Sequence, residues 1–183
     1  MAMQNLRDLY VDELKDLYSA EHQIIRALPK MAKAASAPEL KNAFNQHLEQ
    51  TKHQVERLER IFKDLGKTPR GKKCLGMEGI IEEGSEMLKE KADAAVKDAG
   101  LISAAQRVEH YEMAGYGTAR TFAQMLGFND AAQALQETLN EEGDTDHKLT
   151  QLAESMINPA AEHESAETSG YAEEEDLYME EET

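Results

Sequence analysis

Glutamate stands in this chain where an amphipathic helix would place leucine. Leu101, Ala105, Val108, Glu112, Ala119, Ala123 and Leu126 share one helical face, with Glu112 in its middle. Glu109 lies on that face one turn earlier. The pattern recurs: Glu21 interrupts Leu14, Leu17, Ile24 and Leu28, and Glu142 interrupts Leu135, Leu139, Leu149 and Leu152. Burying a lone carboxylate is costly, so several on core faces require a shared cation, shared protons or hydrogen bonds. Inward-facing glutamates from several helices are how a bundle builds a carboxylate-bridged metal site. The fold must bring these faces together.

Composition supports an all-α class. Proline is scarce, at 4 of 183 residues, and Ala, Leu, Glu, Lys and Gln favour helix. No alternating strand pattern is present. Four long amphipathic segments are predicted: 4–34, 38–65, 100–126 and 129–157. Pro38 suits a helix first turn, and Gly66 and Gly127 suit the residue after a helix end. Asn129 and Asp130 are expected to cap the fourth helix and Pro159 to stop it. A shorter helix over 77–97 is expected inside the crossover 67–99. Helices of about 28 residues are about 42 Å long. Two tightly linked pairs joined by one long connection is the connectivity of a ferritin-like four-helix bundle. Residues 1–159 are read as that bundle.

The formal charge of −16 argues against nucleic-acid binding, which depends on neutralising phosphates. Residues 160–183 carry ten acids and no Lys or Arg, leaving −6 for the rest. This tail is expected to be disordered, and Asp176-Leu177-Tyr178-Met179 within it could engage a protein partner. No apolar run reaches the ~18 residues of a membrane span, the N-terminus does not resemble a signal peptide, and the one cysteine, Cys74, rules out an intrachain disulfide framework. Cytoplasm is the expected compartment.

Glu21, Gln50, Glu112 and Glu142 each fall near the midpoint of their helix, so in an aligned bundle they converge at one height. On the second helix His47, Thr51 and Gln54 face the core, Gln50 lies at its edge, and Glu49 and His53 point away. Asp146 follows Glu142 by four residues on the same face, and Tyr116 follows Glu112 by one turn, within reach of the cluster. The candidate metal-ligating set is Glu21, His47, Gln50, Gln54, Glu109, Glu112, Glu142 and Asp146. Oxygen ligands with one imidazole suit a divalent metal, Fe or Mn foremost, with Zn or Ca as alternatives. The Glu-x-x-His spacing of di-iron bundles is absent from the second and fourth helices, which leaves metal identity open.

The stretches 17–32 (LYSAEHQIIRALPKMA), 47–51 (HLEQT), 72–84 (KKCLGMEGIIEEG), 104–118 (AAQRVEHYEMAGYGT) and 135–153 resemble the YciE/YciF-type ferritin-like family over residues 4–157. The resemblance implies a bacterial, stress-associated bundle with an extra helix that binds metal and forms a homodimer or higher homo-oligomer. Glu21, Glu109, Glu112, Glu142 and Asp146 match its acids, while Gln50 stands where the family commonly has glutamate. Two functions follow: peroxide or oxygen chemistry at the metal, or non-enzymatic metal binding and structural assembly.

Overall fold

A computed structural model describes residues 3–162, to which every structural statement here refers. Five α-helices run in chain order: α1 (Leu6–Ala34), α2 (Pro38–Asp64), α3 (Leu75–Lys89), α4 (Ala94–Met125) and α5 (Asn129–Leu152). A π-helical turn, Ala153–Ile157, follows α5. Among the described residues there is no strand, and no helix is long and apolar enough to cross a membrane. The predicted all-α class and four-helix bundle with a crossover helix are what the chain adopts.

Helix α1 packs on α2 and α4 on α5; α1 also meets α4, and α2 meets α5. The four long helices thus form a closed ring around a shared interior, and α3 lies across α1 and α4. Local chemistry sets several ends. Asn5 accepts the Asp8 N–H at the start of α1, Pro38 occupies the first turn of α2, and Gly66 (φ 63°) supplies the left-handed residue after its end. Buried Asp98 of α4 receives the N–H groups of Ser36 and Ala37 at 2.8 and 2.7 Å, fixing the α1–α2 turn against α4. Bonds of this charge-assisted kind contribute about 1.5–3 kcal/mol each.

The structure corrects four predicted boundaries. The crossover helix ends at Lys89, not 97, and the next helix begins at Ala94, not 100. Gly100 lies inside α4, where a Cβ would sit 2.5 Å from Met87 Sδ; the residue permits α3 and α4 to approach rather than starting a helix. Asn129 and Asp130 lie inside the first turn of α5, whose cap is Phe128, with no side-chain cap bond. Pro159 does not stop the helix, which continues over 158–162. The widened π turn just before it changes the register in which the proline ring would meet a preceding carbonyl. The predicted acidic disordered tail lies, from residue 163 on, outside the described residues.

Two apolar clusters fill the interior. One contains Leu28, Leu40, Phe44, Leu101, Ala105 and Leu149; the other contains Tyr10, Leu14, Leu58, Phe62, Tyr116 and Leu135. Each fully buried large side chain of this kind contributes about 1.5–3 kcal/mol. Between them, near the helix midpoints, lie buried Glu21, His47, Thr51, Gln54, Glu109, Glu112 and Glu142.

Candidate metal centre

All four long helices supply this polar layer: Glu21 from α1, His47, Thr51 and Gln54 from α2, Glu109 and Glu112 from α4, and Glu142 from α5. The i, i+3 spacing of Glu109 and Glu112 and the i, i+7 spacing of His47 and Gln54 place each pair on one core face. His47, Glu109, Glu112 and Glu142 each present a ligand atom, and these atoms all lie within 4.8 Å of one another. His47 Nε2 is 3.3 Å from Glu109 Oε1. Glu21 is fully buried beside the group and accepts a hydrogen bond from Tyr116, the contact expected of a tyrosine one turn beyond Glu112.

Burial foremost, then neighbouring carboxylates, holds Glu21, Glu109 and Glu112 well above the usual carboxyl range. Burial also raises Glu142, to about 7, although hydrogen bonds with Glu109 and Gln54 oppose the rise. Burial lowers His47 to about 4, so its imidazole is neutral at pH 7 and offers a nitrogen lone pair.

Eight buried polar atoms here have no hydrogen-bond partner: Glu21 Oε2, both nitrogens of His47, Gln54 Oε1, Glu109 Oε2, both oxygens of Glu112, and Glu142 Oε2. Such atoms are uncommon in proteins, since each costs about 1–3 kcal/mol when left unpaired. Carboxylate oxygens and neutral imidazole nitrogen are also the donor set a divalent metal takes. The residues present therefore fit a cation, which would neutralise the acids and engage the unpaired atoms.

A second set of contacts orients the ligands. The Gln54 amide donates to Glu142, and to Glu141 Oε2 at 3.1 Å. Arg57 grips Glu141 through both terminal nitrogens, at 2.5 and 2.6 Å, and reaches Thr138 Oγ1 at 3.2 Å. Thr51 donates to the His47 carbonyl at 2.8 Å. The Arg57–Glu141 clamp was not foreseen, because pairing across helices needs a register that one sequence does not supply.

Gln50 is half-buried; with His47 and Glu109 it lines a pocket of about 130 Å³ between α2 and α5. Asp146 stands outside the four-residue group. It accepts from Gln106 at 3.1 Å and lies 3.3 Å from His110 Nε2, on the flank of α4. Glu49, His53 and His147 are exposed, as their projected faces predict.

The family described as domain of unknown function (DUF892) matches residues 5–162. The protein YciF of Escherichia coli (strain K12) is 45% identical over 166 residues, covering 90% of this chain and 100% of that protein. The crystal structure of that stress protein aligns with a TM-score of 0.82 at 46% identity, over 85% of this chain and 99% of that one. YcfI from Rhodopseudomonas palustris aligns with a TM-score of 0.78 at 44% identity, over 80% and 94%. Ferritin-like, diiron-carboxylate proteins from Bacillus anthracis str. Ames share the fold, with a TM-score of 0.64 at 17% identity over 82% and 99%. The chain belongs to the DUF892 family and has the ferritin-like fold.

Proposed function

We propose that this protein is a stress-associated metalloprotein that holds iron or manganese, as one ion or a pair, in the polar layer and acts there on peroxide or dioxygen. The observation that carries the reading is the set of eight unpaired, buried ligand-type atoms contributed by four helices. His47, Glu109, Glu112 and Glu142 would be the direct ligands, with Glu21 beside them. When bound, a redox-active ion supplies Lewis acidity and electrons to an oxygen substrate. Gln54 and the Arg57–Glu141 clamp hold Glu142 in place, and the Tyr116 hydroxyl does the same for Glu21. The apolar clusters on either side leave the side chains of the layer at most 4% exposed. The E. coli relative is described as a stress protein, which supports the stress association.

Metal analysis of protein purified without chelators, read against oligomer mass, tests binding and the homodimer implied by the resemblance together. Oxygen evolution from H₂O₂ and oxidation of Fe(II) test turnover. A metal-loaded protein inactive in both would favour the second reading, a non-enzymatic metal-binding protein. That reading has its own support: α2 gives His47 and Gln54 to the layer and no carboxylate.

A further inference from the structure

A cavity of about 470 Å³ opens between α1, α3 and α4 and reaches His47 and Glu109. It is over three times the ~150 Å³ of an engineered apolar cavity that takes up benzene. Small residues are among its lining: Ala27 on α1, Gly84 on α3, and Ala104 and Ala105 on α4. Its walls are mainly apolar, including Leu28, Met31, Ile80, Ile81, Leu88 and Val108, with the half-buried polar side chains of Gln23, Glu78 and Ser85 among them. His47 and Glu109, 4% and 1% exposed, are both in the lining, and both keep polar atoms with no partner. Exposed Arg26, Lys30 and Glu82 also border the cavity, so its outer charges are of both signs and select for neither.

We propose that this cavity binds an uncharged small molecule with an apolar body and a single polar head, of the alcohol or hydroperoxide class, with the head at His47 and Glu109. Convergent polar groups at one place in a mainly apolar pocket are the usual arrangement of a small-molecule site. The head is uncharged because the four glutamates of the layer, Glu21, Glu109, Glu112 and Glu142, offset the charge of one or two divalent ions and leave no net positive charge to hold an anion. The inference deepens the reading above, since it rests on a reactive ion at the cavity's inner end and makes the substrate bulkier than H₂O₂.

The test uses the full chain, loaded with Co(II), with 1-octanol and octanoate as probes. Octanol should raise the melting temperature by several degrees and shift the cobalt visible bands. Octanoate should bind at least tenfold more weakly. Ala27→Leu, and Ala104→Val as a second filling variant, should weaken octanol at least tenfold with cobalt content unchanged. The proposal is overturned by an absent melting shift, by equal binding of octanoate, by unchanged affinity in both variants, or by unmoved cobalt bands at saturation. Failure to take up cobalt would count instead against the metal reading, and the melting shifts would still decide the cavity.

Discussion

Two polar clusters pack against α4, one half-buried around Cys74 and one fully buried around Glu112, and they differ in how their groups are paired. Around Cys74 every main group is paired. Its Sγ lies 2.9 Å from the Tyr111 hydroxyl, which donates to Asp16 at 2.7 Å; its N–H donates to Ser19 and its carbonyl accepts from Gln23. Lys72 closes the set on Asp12 and Asp16. Burial pushes Asp16 up, but hydrogen bonds from Cys74, Tyr111 and Lys72 leave it below its ordinary value. On a different face of α4 at the same height, the layer around Glu112 has no cation among its partners except through the Arg57–Glu141 clamp, and its acids Glu21, Glu109, Glu112 and Glu142 are all raised. A paired network that pins α3 to the bundle is a structural device. A cluster of unpaired ligand atoms is complete only with something bound.

The sharpest way to break this contrast is metal removal. At free metal near 1,000 times Kd, binding stabilises by about 4 kcal/mol, so stripping metal from the loaded protein should lower its melting temperature by roughly 8–16 °C. Scanning calorimetry with and without chelator reads it directly; an unmoved transition would make both clusters structural.

The next effect is in pH. A carboxyl whose folded pKa is raised contributes stability that is full below its unfolded value and is lost as pH climbs to the folded value, about 7 for Glu142. His47, lowered to about 4, has the opposite sign: its contribution is full above pH 6.5 and is lost as pH falls. Four raised carboxyls outweigh one imidazole. Metal-free protein should therefore lose stability as pH rises from 4.5 to 7.5. Metal affinity should rise over the same range, because binding displaces protons. Melting curves of chelated protein across that interval are the check, and a flat profile would contradict the assignment.

A smaller effect marks the paired side. Tyr111→Phe leaves Asp16 and Cys74 short of a partner and should cost about 1–3 kcal/mol in denaturant unfolding, with metal content unchanged. Gln54→Leu should do the reverse. Removing the donor to Glu142 should weaken metal binding about 10–100-fold in competition titrations, with little change in helical content. Smallest is Gln50→Glu. Position 50 borders the pocket that reaches His47 and Glu109, so the change should raise metal occupancy slightly; a several-fold gain would place that side chain on the metal.

The helices were legible because their apolar faces keep a 3.6-residue period through Leu14, Leu58, Leu101 and Leu135, and the buried glutamates because they break it. The gap between Lys89 and Ala94 was not: it holds Glu90, Lys91, Ala92 and Asp93, with neither glycine nor proline to mark it. Gly100 misled because glycine serves close packing as well as helix ends, and only the position of Met87 separates the two. In the site, periodicity assigns a face but not a depth or a neighbour. Asp146 shares a face with Glu142, yet its carboxylate meets Gln106 and His110. The Arg57–Glu141 clamp and the Asp98 tie likewise depend on which helices adjoin and in what register.

The most direct measurement is the metal content of protein purified without chelators, compared with that of the Glu112→Ala/Glu142→Ala double variant. The expected result is iron or manganese at one or two ions per chain in the first and none in the second. The double variant should stay helical and, without metal, should be at least as stable as the metal-free parent, because two crowded carboxylates are gone. Undiminished metal in the double variant, or no metal in the parent even after incubation with Fe(II) or Mn(II), would contradict a metal centre in the polar layer.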